Sequence, residues 1–393
     1  MRYDDTMEKP RNKIRQKPQV LNLLGGISTR EFLEEYWQKK PLLIRGAIPD
    51  FTGLLSAEEL AGLACEDDAQ SRLVSQLRGK WQLERGPFDE ARFLALPKKS
   101  WSLLVQGVNH HLPEAAALLQ QFDFIPHARM DDLMVSFAPD GGGVGPHVDS
   151  YDVFLLQGQG KRLWRISGQK DLTLVEGAPL RILKNFETEQ EWLLQPGDML
   201  YLPPQIAHWG IAVGDCMTYS VGFRAPSAQE LASQFMDYLQ ERINIEGMYA
   251  DPDLRSTHHP AKISKAMISQ VSKMLSRIKW QREDVARFLG SYLSEPKLHV
   301  IFEKPYAVSL TAFRAKLAKR GISLSLKSLM LFHGDQIFMN GECLDVSGIK
   351  PAERHLLMQL ADQRGLPAAS FKDKRLVEQL HQWYLAGYIE FSH

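Results

Sequence analysis

His147, Asp149 and His208 have the residue types and spacing with the most chemistry to offer. They stand in the runs Gly141-Gly-Gly-Val-Gly-Pro-His147-Val-Asp149 and Pro196-Gly-Asp-Met-Leu-Tyr-Leu-Pro-Pro-Gln-Ile-Ala-His208. Two imidazoles and one carboxylate hold Fe(II) by one face and leave the opposite face open to substrate and oxygen. The spacing has a physical reason. In a strand, residues i and i+2 project to the same side, so His147 and Asp149 aim into one cavity. The third ligand must come from a distant strand, which suits a closed β-barrel better than a helix. An H-x-D tripeptide is common by chance, so the flanking sequence has to carry the argument.

The flanks are those of strands. The glycine cluster and Pro146 form a turn that delivers the chain into the first ligand strand. Tyr151 to Gln157 reads as a strand, Gly158-Gln-Gly160 as a turn, and Lys161 to Ile166 as a second strand. Pro196 to Pro204 reads as a turn, a short apolar strand and a rigid bend. The barrel is expected over about Asp132 to Arg224. In Asp132-Leu-Met-Val-Ser-Phe137, the apolar residues Leu133, Val135 and Phe137 share one face. Asp132, Met134 and Ser136 share the other, and a polar inner face is costly unless it meets a ligand. That mixed face is therefore assigned to the site. On the later strand, Arg162 shares its side with Trp164 and Ile166, the better interior set. Lys161 shares its side with Leu163 and Arg165.

The pattern P-H-x-D, K/R-x-W-R, P-G-D-x-L-Y-x-P-P and a distal His resembles the JmjC-type cupin oxygenases. The runs Asp131-Asp-Leu-Met-Val-Ser-Phe, Tyr151-Asp-Val-Phe and Tyr219-Ser-Val-Gly-Phe-Arg-Ala-Pro resemble, within them, the bacterial ribosomal oxygenases. The resemblance implies a double-stranded β-helix, or cupin jelly roll, with flanking helices. It implies Fe(II), with 2-oxoglutarate and oxygen as cosubstrates. It also implies Arg162 as the cation that anchors the distal carboxylate of 2-oxoglutarate, and Ser136 is placed to hydrogen-bond the same group. The reaction implied is hydroxylation at Cβ of an arginine in the sixteenth protein of the large ribosomal subunit. Asp132, Tyr151 and Ser220 are the candidate receptor for that guanidinium, a carboxylate with an aromatic wall. Other readings stay open: an oxygenase acting on histidine or methyl-lysine of another protein, a non-oxygenase metal cupin, or a winged-helix binding protein with a vestigial barrel.

Composition narrows the class. The chain has 393 residues, with 47 Lys plus Arg against 47 Asp plus Glu, so no global field advertises a nucleic acid or a membrane. Cys65, Cys216 and Cys343 are odd in number and widely spaced, which fits neither a disulfide framework nor a zinc site. The charged N-terminus lacks the apolar stretch of a signal peptide, and a cytoplasmic location is expected.

Four segments are expected: a flexible arm over 1–20, the catalytic domain over 21–225, a helical dimerisation segment over 226–300 and a winged-helix-like module over 301–393. Ser28 with Glu31 predicts a helix through Tyr36 and Trp37, and Ser227 with Glu230 predicts another. Residues 101–108 are a buried strand or a short helix. Dimerisation is implied by the resemblance. The last module shows no basic recognition stripe, so no direct nucleic-acid binding is expected of it.

Overall fold

A computed structural model describes residues 22–77 and 79–392. The arm expected over 1–20 lies outside them. The chain divides into two compact units at Ala225/Pro226.

The first unit is built on one large antiparallel sheet. Its strands are β1 (Leu42–Ile44), β2 (Ser71–Leu77), β3 (Lys80–Arg85), β4 (Trp101–Val105), β5 (Met130–Ala138), β6 (His147–Val148), β7 (Asp152–Ser167), β8 (Gln190–Leu194), β9 (Met199–Leu202) and β10 (Ala207–Phe223). The main order is β1-β9-β7-β10-β5-β4-β2-β3, with β6 on β10 and β8 on β7. The helices are α1 (Thr29–Glu35), α2 (Ala57–Leu63), α3 (Glu90–Leu94) and α4 (Pro113–Gln120).

The sheet is wider than the barrel expected over 132–224. Without β4, β5 would be an exposed edge of unpaired backbone groups. Instead β4 pairs it through Leu103 opposite Phe137 and Val105 opposite Val135. The 101–108 segment is thus a strand, ending at Val105. Helix α1 stops at Glu35, capped by Ser28 Oγ on the Glu31 amide, so Tyr36 and Trp37 lie beyond its end.

A second correction concerns Gly158-Gln-Gly160. It is not a turn between two strands but a bend inside the single strand β7. The partner β10 runs alongside both halves, and the register shifts between Val213 and Thr218. Gly160 takes φ +61° there, and a Cβ would meet the Asp215 carbonyl at 1.9 Å, so a side chain is excluded. The bend reverses the parity of β7. Before it, Phe154 and Leu156 join the helix-covered core while Val153 and Leu155 face the other side. After it, Trp164 and Ile166 join Val153 and Leu155.

The helix-covered core contains Phe32, Leu60, Leu118, Phe122, Leu133, Val135, Tyr201, Tyr219 and Phe223, among others, all 5 % exposed or less. Phe32 alone packs its ring against Tyr36, Trp37, Phe124, Phe154 and Tyr201. Asp132 and Ser136 take the opposite face of β5, as their alternation predicts.

The second unit contains α5 (Ala228–Gln240), α6 (Lys265–Leu275), α7 (Arg282–Ser294), α8 (Leu310–Arg320), α9 (Pro351–Gln363) and α10 (Lys374–Leu385). Its strands are β11 (Ile322–Leu324), β12 (Met330–His333), β13 (Gln336–Met339), β14 (Glu342–Asp345), β15 (Gly365–Leu366) and β16 (Ile389–Phe391). They form two three-stranded sheets, β15-β11-β16 and β12-β13-β14. The expected capping box at Ser227 and Glu230 is present on α5. The hairpin turn at Asn340-Gly341 has positive φ at both residues, +50° and +91°, the conformation that two-residue hairpins select. Among the described residues, no helix is long and apolar enough to cross a membrane.

Candidate active site

β6 and β10 bring the three sequence-distant ligand candidates together. His208 pairs directly with His147 across the two strands, and their rings lie 4.2 Å apart. β6 has only two residues, so Asp149 sits just past its end rather than within a strand. Hydrogen bonding of its carbonyl by the Gln205 amide (2.9 Å) holds it in place. One ligand atom from each of His147, Asp149 and His208 lies within 4.8 Å of the others. His208 Nε2 is 3.5 Å and His147 Nε2 3.9 Å from the Asp149 carboxylate.

Second contacts orient both rings. His147 Nδ1 lies 2.9 Å from the Gly145 carbonyl, and His208 Nδ1 lies 2.9 Å from the Ile206 carbonyl. A carbonyl can only accept, so each Nδ1 carries the proton and each Nε2 lone pair faces the carboxylate. Burial, and then neighbouring His147, lower the His208 pKa to about 4 against the pull of Asp149. His208 is therefore neutral near pH 7, the form that binds a metal.

Arg162 lies on β7 opposite Ala212, with Trp164 opposite Gly210 and Ile166 opposite His208. The expected grouping of Arg162 with Trp164 and Ile166 holds. Arg162 is 6 % exposed, and its Nε and Nη2 have no hydrogen-bond partner. A buried, unpaired guanidinium is strongly disfavoured unless an anion joins it. These residues fit a dicarboxylate: two imidazoles and a carboxylate at one end, an open guanidinium at the other. Ser136 lines the same interior in a row with Thr218 and Gln157, where Thr218 Oγ1 donates to Gln157 Oε1 (3.0 Å).

Asp132, Tyr151 and Ser220 lie toward the other end. Ser220 sits between Met134 and Leu155. Asp132 is buried and accepts from Gln106 Nε2 at 3.1 Å; Gln106 Oε1 accepts in turn from Arg72 Nη2 at 3.2 Å. Tyr151 is 40 % exposed. Surrounding protein raises its phenol pKa most, then the Asp149 and Asp132 charges, with Arg72 opposing. Tyr151 is therefore a protonated donor near pH 7. Sequence reasoning missed Arg72, Gln106, Gln157 and Thr218. Only strand pairing brings them here, although Gln157 shares parity with Val153 and Leu155.

Residues 117–231 match the JmjC domain, and residues 277–390 match the ROXA-like winged helix. The chain is 39 % identical over 350 residues to the ribosomal protein uL16 3-hydroxylase of Escherichia coli K12, covering 87 % of this chain and 91 % of that protein. It is 37 % identical over 247 residues to a probable ribosomal oxygenase of Haemophilus influenzae, covering 61 % and 59 %. The crystal structure of E. coli ycfD superposes with a TM-score of 0.81 at 36 % identity, covering 93 % of this chain and 98 % of that one. The same E. coli oxygenase bound to cobalt and 2-oxoglutarate matches with a TM-score of 0.78 at 36 % identity, covering 93 % and 99 %. Likeness this extensive spans the sheet unit and the C-terminal module alike, so this chain belongs to the JmjC-domain ribosomal oxygenases, enzymes that use Fe(II) and 2-oxoglutarate.

Proposed function

We propose that the chain hydroxylates an arginine side chain of ribosomal protein uL16 at Cβ. His147, Asp149 and His208 hold the iron, and Arg162 with Ser136 receives the distal carboxylate of 2-oxoglutarate. Fe(II) with 2-oxoglutarate and oxygen supplies the oxidant that converts C–H to C–OH, releasing succinate and carbon dioxide. The chain's own residues supply placement. The two Nδ1 protons keep both imidazoles turned toward Asp149, and Arg162 fixes the cosubstrate's far end. Asp132, Tyr151 and Ser220 receive the guanidinium, with Asp132 as its counter-charge. Gln106 and Arg72 hold the Asp132 carboxylate in one orientation.

The observation that carries this reading is the convergence of three ligand atoms in one interior with an unpaired, buried Arg162. Local charge supports a cationic substrate: residues 101–150 contain six acidic side chains and one basic one, Arg129. We assign 21–225 as the catalytic domain, 226–300 as a dimerisation segment and 301–393 as a winged-helix-like module. Exposed Met236, Ile268, Leu275 and Trp280 on and beside α5 and α6 support a buried homodimer contact. The reading is of a cytoplasmic enzyme that needs no nucleic-acid contact. Of the four cations on α8, Lys316 sits over the Phe391 ring and Arg320 donates to the Ser392 carbonyl.

The test is 2-oxoglutarate turnover by iron-loaded protein with purified ribosomal proteins, read by intact mass. A one-oxygen gain on uL16 is expected, localised to an arginine. Oxygen gained by a different protein, or on histidine, would overturn the substrate assignment.

A further inference from the structure

Among the described residues of the first unit, the buried polar side-chain atoms without a hydrogen-bond partner are Ser102 Oγ, Arg162 Nε and Nη2, and Trp164 Nε1. Arg162 is already absorbed by the cosubstrate reading; Trp164 is not. Its indole lies across Gly210, where a Cβ would come within 2.7 Å of the ring. The ring is 5.9 Å from the His208 imidazole and 5.8 Å from the Arg162 guanidinium carbon. Trp164 therefore stands between the metal-ligand end of the interior and its cationic end. It is 5 % exposed.

An indole Nε1 is a donor only, and a buried donor left unpaired is costly. Its natural partner is an acceptor-only group brought by a ligand. We infer that the Trp164 indole N–H is a second donor to the distal carboxylate of 2-oxoglutarate, beside Arg162.

Geometry allows it. The guanidinium carbon lies 5.8 Å from the centroid of the indole ring, near enough for the two oxygens of one carboxylate to meet a donor from each group at about 2.9 Å. The length along β7 agrees. Arg162 and Ile166, the residue opposite His208, are four residues apart, about 13 Å at ~3.3 Å per residue. A five-carbon diacid and the returning arginine side chain together span that distance, so their junction falls near Trp164. Gly210, opposite Trp164, leaves room for the indole itself. Trp164 is then a positioning residue that helps select a dicarboxylate over a monocarboxylate.

The inference rests on the reading of Arg162 as the cosubstrate anchor, and the experiment separates the two. Binding of 2-oxoglutarate and of 2-oxopentanoate, which lacks the distal carboxylate, is measured by calorimetry on Co(II)-loaded wild type and Trp164→Phe. The phenyl ring keeps the wall and removes the N–H. Loss of a hydrogen bond to a charged group predicts about tenfold weaker 2-oxoglutarate binding or more, with 2-oxopentanoate unchanged. In Zn(II)-loaded wild type, the indole N–H resonance of Trp164 should move on adding 2-oxoglutarate but not 2-oxopentanoate, which needs no variant to fold. Unchanged 2-oxoglutarate affinity, equal losses for both acids, or an unmoved resonance would overturn the role of Trp164. A wild type that binds both acids equally well would overturn the anchor reading itself.

Discussion

The interior of the first unit and the core of the second treat buried polar groups in opposite ways. In the second unit, Asn340 Oδ1 accepts from the Leu329 amide while its Nδ2 donates to Ser328 Oγ, which donates to the Tyr388 carbonyl. Glu353 accepts from the Lys372 and Asp373 amides. Ser294 accepts from the Gly341 amide and donates to the Gly290 carbonyl. These groups close on one another; among the described residues of the second unit only Tyr238 Oη, on α5, is buried without a hydrogen-bond partner. In the first unit Arg162, Trp164 and Ser102 leave donors open. The same physics, that a buried polar group must find a partner, makes one region a scaffold and the other a receptor.

The comparison can be broken in order of expected effect. His208→Ala removes a ligand from the tightest convergence and should abolish oxygen transfer while the melting profile of the metal-free protein survives. Retained activity would remove His208 from the metal set. Arg162→Leu should weaken 2-oxoglutarate binding about a hundredfold, since a charge-assisted bidentate pair is lost. It should also leave the metal-free protein as stable as wild type or more so, because an uncompensated buried charge is gone. Thermal melting with and without cosubstrate checks both halves, and a destabilised metal-free variant would contradict the open-donor view. Asn340→Ala should do the reverse. It leaves the Leu329 amide and Ser328 without their partner, costing about 1–3 kcal/mol of stability, while 2-oxoglutarate binding stays unchanged. Denaturant unfolding and calorimetry on the same sample separate the two effects.

Much of the site was legible because ligation leaves local marks. His147-x-Asp149, the Pro-Gly-Asp turn and Arg162 on the side of Trp164 are all short-range patterns. The Pro-Gly-Asp turn proves to be an anchor as well: Asp198 accepts from the Gly46 and Gln195 amides and pairs with Arg45. What was lost is what pairing alone decides. Two glycines at 158 and 160 look like a hairpin turn; only the length of β10 beside them shows a bend within one strand. β2 went unrecognised because Leu73 and Val74 are buried in succession, one on each face, and no alternation results. α4 did leave a signal, Pro113 at its first position ahead of an alanine run, and that signal was overlooked. Gln106 and Arg72 reach Asp132 only through the sheet, which no spacing in the chain encodes.

The smallest effect lies in the loop joining β7 to β8, which belongs to the first unit but follows the rule of the second. Asp171 accepts from the Thr173 amide and from Asn185 Nδ2, both at 2.9 Å, and hydrogen bonding by the Thr173 side chain, then Asn185, then the Thr173 amide lowers its pKa to about 2 from the ordinary 3.8. Leu183, farther along the same loop, donates its amide to the Pro146 carbonyl next to His147 (2.8 Å). The folded-state pKa is depressed, so the loop's stabilisation is fully present above the unfolded value near 4 and is lost as pH falls toward 2. Amide exchange across residues 168–189 should therefore accelerate, relative to the sheet, as pH drops from about 4.5 to about 3. Asp171→Asn should show that faster relative exchange already at neutral pH and lose most of its pH dependence. A loop whose protection tracks that of the sheet throughout would mean that Asp171 does not hold it closed.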